Sequence, residues 1–226
     1  MSQKADTEVL TTLEEKVDPA RCAVLVIDVQ NDFCHDEGYL HRLGLDIASS
    51  QAMVPRLESF IEQARAAKVE MIFVQGIYDS RYLAGPFIEK DLRAGLTVER
   101  CVDGSWGADF YKVRPLPSEP VVQKHRYSAF IGTGLEEILQ KKNIKTLILT
   151  GVTTNVCVES TAREGFMRDY YIVFLNDCTA TYSDEAHQSS LRNIERHFGV
   201  VVSSSEVAAV WQAFPAASRL SGSLRA

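Results

Sequence analysis

The sequence predicts an α/β fold: a six-stranded, mainly parallel sheet with helices on both faces. Three observations carry the prediction. Six short apolar runs alternate along the chain with windows of helical periodicity, the pattern of successive strand–helix units. The first run, CAVLVIDV, is apolar almost throughout, as expected of a strand covered on both sides. A chain of 226 residues that is 46% hydrophobic and 24% charged also has the globular mix needed to bury such a sheet.

Taken in order, CAVLVIDV (22–29) is the first strand, and a polar stretch with Gly38 and Gly44 follows it. VPRLESFIEQARAAK sets Val54, Leu57, Phe60, Ile61 and Ala64 on one helical face. VEMIFVQ (69–75) is the second strand. Residues 76–120 read as irregular, rich in glycine, proline and aromatics, and so long a segment inside a compact domain is more often functional than idle. VVQK (121–124) is a short third strand, and Thr133 with Glu136 forms a capping box for the helix GLEEILQKK. TLILT (146–150) is the fourth, followed by a loop over 151–155 and a helix just inside which Cys157 sits. YIVFL (171–175) is the fifth. Ser183 caps a helix beginning DEAHQSSL, whose acids lie in the positive first turn. VVVS (200–203) is the sixth, and SEVAAVWQAF the last helix. The expectation is one domain over 1–226, with an N-terminal extension over 1–20 and a frayed tail over 215–226.

Several function classes find no support. Asp and Glu outnumber Lys and Arg 30 to 24, and no basic block offers a nucleic-acid footprint. No apolar run reaches membrane-spanning length, and the polar, acidic N-terminus does not read as a secretory signal. The five cysteines, Cys22, Cys34, Cys101, Cys157 and Cys178, are scattered, odd in number and free of any C-x-x-C. That pattern points away from a disulfide framework or a structural zinc site, and toward a reducing cytoplasm.

In parallel α/β sheets, ligands gather at the carboxyl ends of the strands. Asp28 closes the first strand, Lys124 closes the third, and Cys157 follows the fourth. A free thiol has a pKa of roughly 8.5, and a helix N-terminus and a lysine ammonium would both favour its thiolate. The aspartate can take the thiol proton or hold the lysine, and unpaired N–H groups of a helix's first turn can serve an oxyanion. Each residue alone has a plainer reading: Cys157 as a small buried hydrophobe, Asp28 as a turn cap, Lys124 as a solvated strand end. Convergence at three strand ends favours the chemical reading; the other four cysteines read as structural. Asn31 and Phe33 follow the first strand, Gln75 and Tyr78 the second and Tyr127 the third; all five are candidate substrate contacts, the amides because Asn and Gln can pair with a urea group. Trp106 could serve as a lid, though ordinary packing is the simpler reading.

Three segments in order, VLVIDVQNDF, KHRYSAF and LTGVTTNVCVESTAREGFMRDY, resemble the isochorismatase-like cysteine hydrolases, over about Arg21 to Trp211. The resemblance implies a Rossmann-like three-layer α/β/α sandwich with a catalytic triad of Asp28, Lys124 and Cys157. It also implies a cis peptide at Val152–Thr153, an oxyanion hole from the N–H groups of Thr153 and Cys157, no metal or cofactor, and a homodimer or homotetramer. Cys157 distinguishes the chain from isochorismatases proper, which lack that nucleophile. QGIYDSRYLAG lacks the histidine of the metal-binding Asp-x-His motif of nicotinamidases. EGFMRDY, RYSAF, GSW and EGYL are most similar to the ureidoacrylate amidohydrolase branch and its biuret and triuret hydrolase relatives, which cut a terminal carbamoyl C–N bond. The implied activity is cysteine-dependent hydrolysis of a small ureido or carbamoyl compound through a thioester, releasing ammonia or carbamate. Two alternatives stand beside it: a nicotinamidase-like amidase of another carboxamide, and a reactive-thiol sensing module without turnover. Asp28 with Lys124 favours an enzyme, because a sensor has less use for a proton shuttle.

Overall fold

The computed structural model describes residues 8–96 and 99–214. The tail expected to fray, and residues 1–7 of the N-terminal extension, lie outside the described residues. The elements in chain order are α1 (Leu13–Lys16), β1 (Cys22–Ile27), α2 (Asn31–Cys34), α3 (Tyr39–Arg42), α4 (Ala48–Ala66), β2 (Glu70–Gly76) and α5 (Gly85–Arg93). There follow β3 (Val121–Lys124), α6 (Leu135–Lys141), β4 (Thr146–Val152), α7 (Glu159–Met167), β5 (Tyr171–Ala180), α8 (Asp184–His197), β6 (Val200–Val202) and α9 (Ser204–Ala213).

The six strands form one sheet in the order β3-β2-β1-β4-β5-β6, and every pairing between them is parallel rather than mainly so. The chain winds outward from β1 in one direction and from β4 in the other, so the topological switch point lies between those two strands. β1 shows why both faces must be covered. Cys22, Val24 and Val26 point into the core shared with α4 and α9, whereas Ala23, Leu25 and Ile27 point into the core shared with α6, α7 and α8. Each side chain alternates faces, as the strand period of two requires. A fully buried Val, Leu or Ile contributes about 1.5–3 kcal/mol, so the central strand holds the two layers together.

The predicted face of α4, Val54, Leu57, Phe60, Ile61 and Ala64, is the buried face. Ser183 accepts a hydrogen bond from Ala186 N–H at 3.2 Å, as a cap should. The described part of the N-terminal extension, residues 8–20, is also tied down. Leu10 and Val17 are buried, and the Trp211 indole N–H donates to Val17 O at 2.8 Å.

Three expectations need correction. Residues 76–120 contain α5 and a 3-10 turn over Trp106–Ala108. Proline at the start of α5 pre-sets a helical φ and was the available signal; the helix fully buries only Asp91, while Phe87 and Ile88 pack half-buried against the core. The capping box of α6 does not form. Thr133 Oγ1 donates instead to Ala129 O at 2.6 Å and accepts from Leu135 N–H, leaving Gly134 at the cap position. β5 runs past Leu175 to Ala180. The apolar run stops before Asn176–Asp177, but the Asp177 carboxylate accepts from Ser204 N–H at 2.8 Å and Ser204 Oγ at 2.7 Å, at the start of α9. The strand then resumes beside Gly151 and Val152.

Candidate active site

Asp28 stands immediately after β1 with a left-handed φ of +54°, a conformation aspartate tolerates better than most residues. Its N–H donates to Val74 O at 3.0 Å and its own O accepts from Gln30 N–H at 2.8 Å, so the strand ends there in a tight turn. Gln30 clamps the neighbouring strand: its side chain accepts from Gly76 N–H at 2.8 Å and donates to Gly76 O at 3.0 Å and to Ala108 O at 2.8 Å. On β4, Gly151 has φ +109°, and a Cβ there would collide with the Ile27 backbone; only glycine lets β4 close on β1 at the switch point.

Lys124, at the end of β3, is completely buried. Its Nζ lies 2.7 Å from Asp28 Oδ2 and donates to Cys157 Sγ at 3.4 Å, to Tyr78 OH at 2.5 Å and to Arg126 O at 3.1 Å. Tyr78 OH is also 3.6 Å from Cys157 Sγ. The three side chains expected to converge do so, with Tyr78 as a fourth member. The Val152–Thr153 peptide is cis. Cys157 sits in a single π-helical turn, Thr154–Val158, rather than inside the helix proper, which begins at Glu159. Within that turn Val156 and Val158 N–H donate to Thr153 O. Glu159, next along, is buried and bonded to Ser190 Oγ, to Asn193 Nδ2 at 2.7 Å and to Arg163, which ties the cysteine turn to α8.

The electrostatics differ from the sequence expectation. Burial pushes the Cys157 thiol up to about 12; the Lys124 ammonium lowers it, and the Asp28 carboxylate raises it again. Burial thus favours the protonated thiol at rest, against the pull of the lysine toward thiolate. Burial also raises the Asp28 carboxyl against the opposing pull of Lys124, which makes Asp28 a stronger base than a solvated aspartate. Burial works against the Lys124 ammonium, but the adjacent Asp28 carboxylate outweighs it and holds the lysine above its ordinary value. The sulfur can become nucleophilic only as its proton leaves, and the carboxylate beside it is the group suited to take that proton.

A cavity of about 150 Å³ opens beside this cluster; Asp28, Tyr78, Thr153 and Val156 line it, whereas Lys124 and Cys157 stand behind that lining. Phe33 and Tyr127 line it as expected. Asn31 and Gln75 do not. Asn31 Nδ2 donates to Trp106 O at 2.7 Å, and Gln75 Nε2 donates to Ala108 O at 2.8 Å while its Oε1 accepts from Gln123. Both amides are spent on backbone and neighbouring side chains instead of facing substrate. Trp106 packs edge-on against His35 with centroids 4.9 Å apart and is not part of the lining. Sequence reasoning missed a wall of leucines, Leu40, Leu43, Leu45 and Leu96, and a charged end of Lys90, Asp91 and Arg100. It also missed Asp32, whose buried carboxylate accepts from Cys101 N–H at 2.6 Å and Tyr39 N–H at 3.1 Å and so anchors two loops beside the cavity. Among the described residues, no group of three or more His, Cys, Asp or Glu side chains could hold a metal ion, and no helix is long and apolar enough to cross a membrane.

Fold and site together define a Rossmann-like α/β protein with a buried Asp–Lys–Cys cluster at its switch point. Comparison with known proteins agrees. The Isochorismatase domain model matches residues 22–206, and the chain belongs to that family. The chain is 36% identical over 219 residues to the ureidoacrylate amidohydrolase RutB of Methylobacterium radiotolerans, covering 90% of this chain and 83% of that one. It is 35% identical over 198 residues to the RutB of Cronobacter sakazakii, covering 81% and 85%. Among solved structures it is similar to a cysteine hydrolase from Pseudomonas syringae pv. phaseolicola, with a TM-score of 0.77 and 25% identity over 92% of this chain and 99% of that one.

Proposed function

We propose that this chain hydrolyses the C–N bond of a small ureido or carbamoyl compound, with Cys157 as nucleophile. The chain is an amidohydrolase, a hydrolase of carbon–nitrogen bonds other than peptide bonds. The observation that carries the finer reading is Lys124 Nζ, held 2.7 Å from Asp28 and 3.4 Å from Cys157 Sγ at the switch point. The names of the relatives support a ureido substrate.

In the proposed reaction, Asp28 accepts the Cys157 proton as Sγ bonds to the carbamoyl carbon. The carbonyl oxygen takes up the displaced electron pair and is met by the N–H groups of Thr153 and Cys157. The C–N bond then breaks as Asp28 returns the proton to the leaving amine or ammonia. What remains is a thioester, which for a ureido substrate is an S-carbamoyl group on Cys157. Asp28 next removes a proton from water, the hydroxide attacks the same carbon, and the sulfur leaves as a thiolate that Asp28 reprotonates. Lys124 keeps its charge throughout, holding Asp28 ionised at rest and stabilising the transient thiolate. The raised thiol pKa weighs against a sensing module, which needs an accessible thiolate to be oxidised. The test is ammonia and carbamate release from a panel of ureidoacrylate, biuret, triuret, N-carbamoyl amino acids and nicotinamide. Cys157→Ala should remove all turnover while far-UV circular dichroism stays unchanged; turnover retained by that variant would refute the assignment.

A further inference from the structure

The Tyr78 hydroxyl touches the reacting sulfur, and the Asp–Lys–Cys chemistry leaves it without a role. Tyr78 is buried, and its hydroxyl stands 3.6 Å from Cys157 Sγ, a hydrogen-bonding distance for sulfur. The oxygen accepts from Lys124 Nζ at 2.5 Å, so its own proton must go to another partner. Two are within reach: Arg126 O at 3.3 Å and Sγ itself. Lys124 alone does not meet the needs of a thiolate. Tyr78 OH, Asp28 Oδ2, Arg126 O and Sγ, at 2.5, 2.7, 3.1 and 3.4 Å, compete for its three N–H donors, and the sulfur is the farthest of the four. The hydroxyl keeps its proton, because burial raises it well above the ordinary phenol value and the charge of Cys157 adds to that. It acts as a donor, not as a base. The ring that carries it is held in place. Arg100 N–H donates to Tyr78 O at 3.4 Å, the Arg100 guanidinium lies 4.9 Å from the ring centroid, and Phe87 stacks on the ring at 6.5 Å.

We propose that Tyr78 is a fourth catalytic residue, whose hydroxyl donates a hydrogen bond to Cys157 Sγ whenever the sulfur carries negative charge. As Asp28 takes the thiol proton, the Tyr78 O–H turns from Arg126 O to the sulfur, and the phenol keeps its proton. The same bond forms again when the sulfur leaves the S-carbamoyl group. Both half-reactions gain, because a hydrogen bond to a charged acceptor is about twice as strong as one to a neutral acceptor. The resting thiol gains little, so the stabilisation falls on the transition states and not on substrate binding. The proposal rests on the amidohydrolase reading for these steps, but the hydrogen bond itself requires no substrate.

The test is Tyr78→Phe, which keeps the ring and removes the hydroxyl. The first readout is the rate at which iodoacetamide alkylates Cys157 at neutral pH without substrate, located by peptide mass spectrometry. Cys157 is 7% exposed and the other four thiols are 0% exposed, so alkylation is directed to it. Loss of a hydrogen bond to the thiolate should lower the thiolate fraction about tenfold. The greater nucleophilicity of a more basic thiolate returns part of this, for a net loss of about threefold. The second readout is turnover of a ureido substrate. Its kcat should fall at least about tenfold, while its Kd, measured calorimetrically on Cys157→Ala with and without Tyr78→Phe, moves less than about twofold. A ring-fluorinated tyrosine placed at position 78 alone keeps a more acidic hydroxyl, hence a stronger donor, and should speed alkylation; it carries the test if Tyr78→Phe does not fold. Unchanged alkylation in Tyr78→Phe, a loss confined to Kd, or no gain with the fluorinated ring overturns the proposal. The two readings fail separately. Slower alkylation in Tyr78→Phe with no Cys157-dependent turnover of any ureido compound leaves the hydrogen bond standing and removes the amidohydrolase. Cys157-dependent turnover with alkylation and kcat both unchanged in Tyr78→Phe does the reverse.

Discussion

Lys124 reaches Asp28 at 2.7 Å although the whole of β2 lies between the strands that carry them. Neighbouring strands are about 4.8 Å apart, so the contact spans two strand spacings. The residue level with Lys124 on β2 is Gly76. A Cβ there would stand 2.6 Å from Tyr78 Cε2 and 3.2 Å from Asp28 Oδ1. The ion pair, the tyrosine and the absence of a side chain at position 76 form one packed unit.

Gly76→Ala should therefore damage the site more than the fold. The added methyl displaces the buried Tyr78 ring or Asp28, at an overpacking cost of about 1–3 kcal/mol. The midpoint of thermal unfolding should fall by roughly 2–4 °C per kcal/mol, while kcat falls by at least about tenfold. Calorimetry and steady-state kinetics on the same preparation separate the two effects. Unchanged kcat would mean that the packing around Gly76 does not position the reacting groups.

Asp28 and Lys124 should depend on each other for stability as well as for catalysis. Removing either partner leaves an uncompensated buried charge, a loss of about 3–5 kcal/mol. The double variant Asp28→Asn with Lys124→Met leaves neither charge, so it should be less destabilised than the two single losses added together, with a coupling energy of about 0.5–3 kcal/mol. Urea unfolding of the four proteins measures this. Strict additivity would mean that the pair is not a unit, and all three variants should lose most of their turnover.

Alkaline pH should destabilise the protein through its buried thiols. Burial raises Cys34, Cys157 and Cys178 from 9.0 to about 12. Their contribution is fully present below the unfolded value near 9 and is lost as pH rises toward 12, because the unfolded chain releases protons that the folded one retains. Each thiol costs about 1.4 kcal/mol per pH unit across that window. Thermal unfolding midpoints should fall from pH 9 upward, and less steeply in Cys34→Ala or Cys178→Ala. A flat profile between pH 9 and 11 would show that these thiols are not held protonated.

The sheet, its parallel sense and the convergence of Asp28, Lys124 and Cys157 were legible in the sequence, because each rests on a local signal. The strands are apolar runs; Asp28 directly follows one, Lys124 ends one, and Cys157 lies in the turn beyond a third. What faces the substrate was less legible. Asn31 and Gln75 have the right chemistry at the right strand ends, but loop backbone at Trp106 and Ala108 claims their amides, and that is a long-range relationship no spacing reveals. Lys90, Asp91 and Arg100 come from the segment read as irregular, where α5 has only a polar residue buried. The balance of influences on the thiol was less legible for a related reason. A helix end and a lysine favour thiolate, but the magnitude of burial, which depends on packing around all of Cys157, outweighs both.

The central claim is that Cys157 Sγ forms a covalent bond to the carbamoyl carbon and Asp28 takes its proton. Rapid acid quench of the enzyme during turnover of a ureido substrate, followed by intact-protein and peptide mass spectrometry, tests it most directly. The account predicts a transient carbamoyl adduct on the peptide containing Cys157, absent in Cys157→Ala and formed far more slowly in Asp28→Asn. Turnover with no adduct at any quench time, or an adduct on another residue, would contradict it.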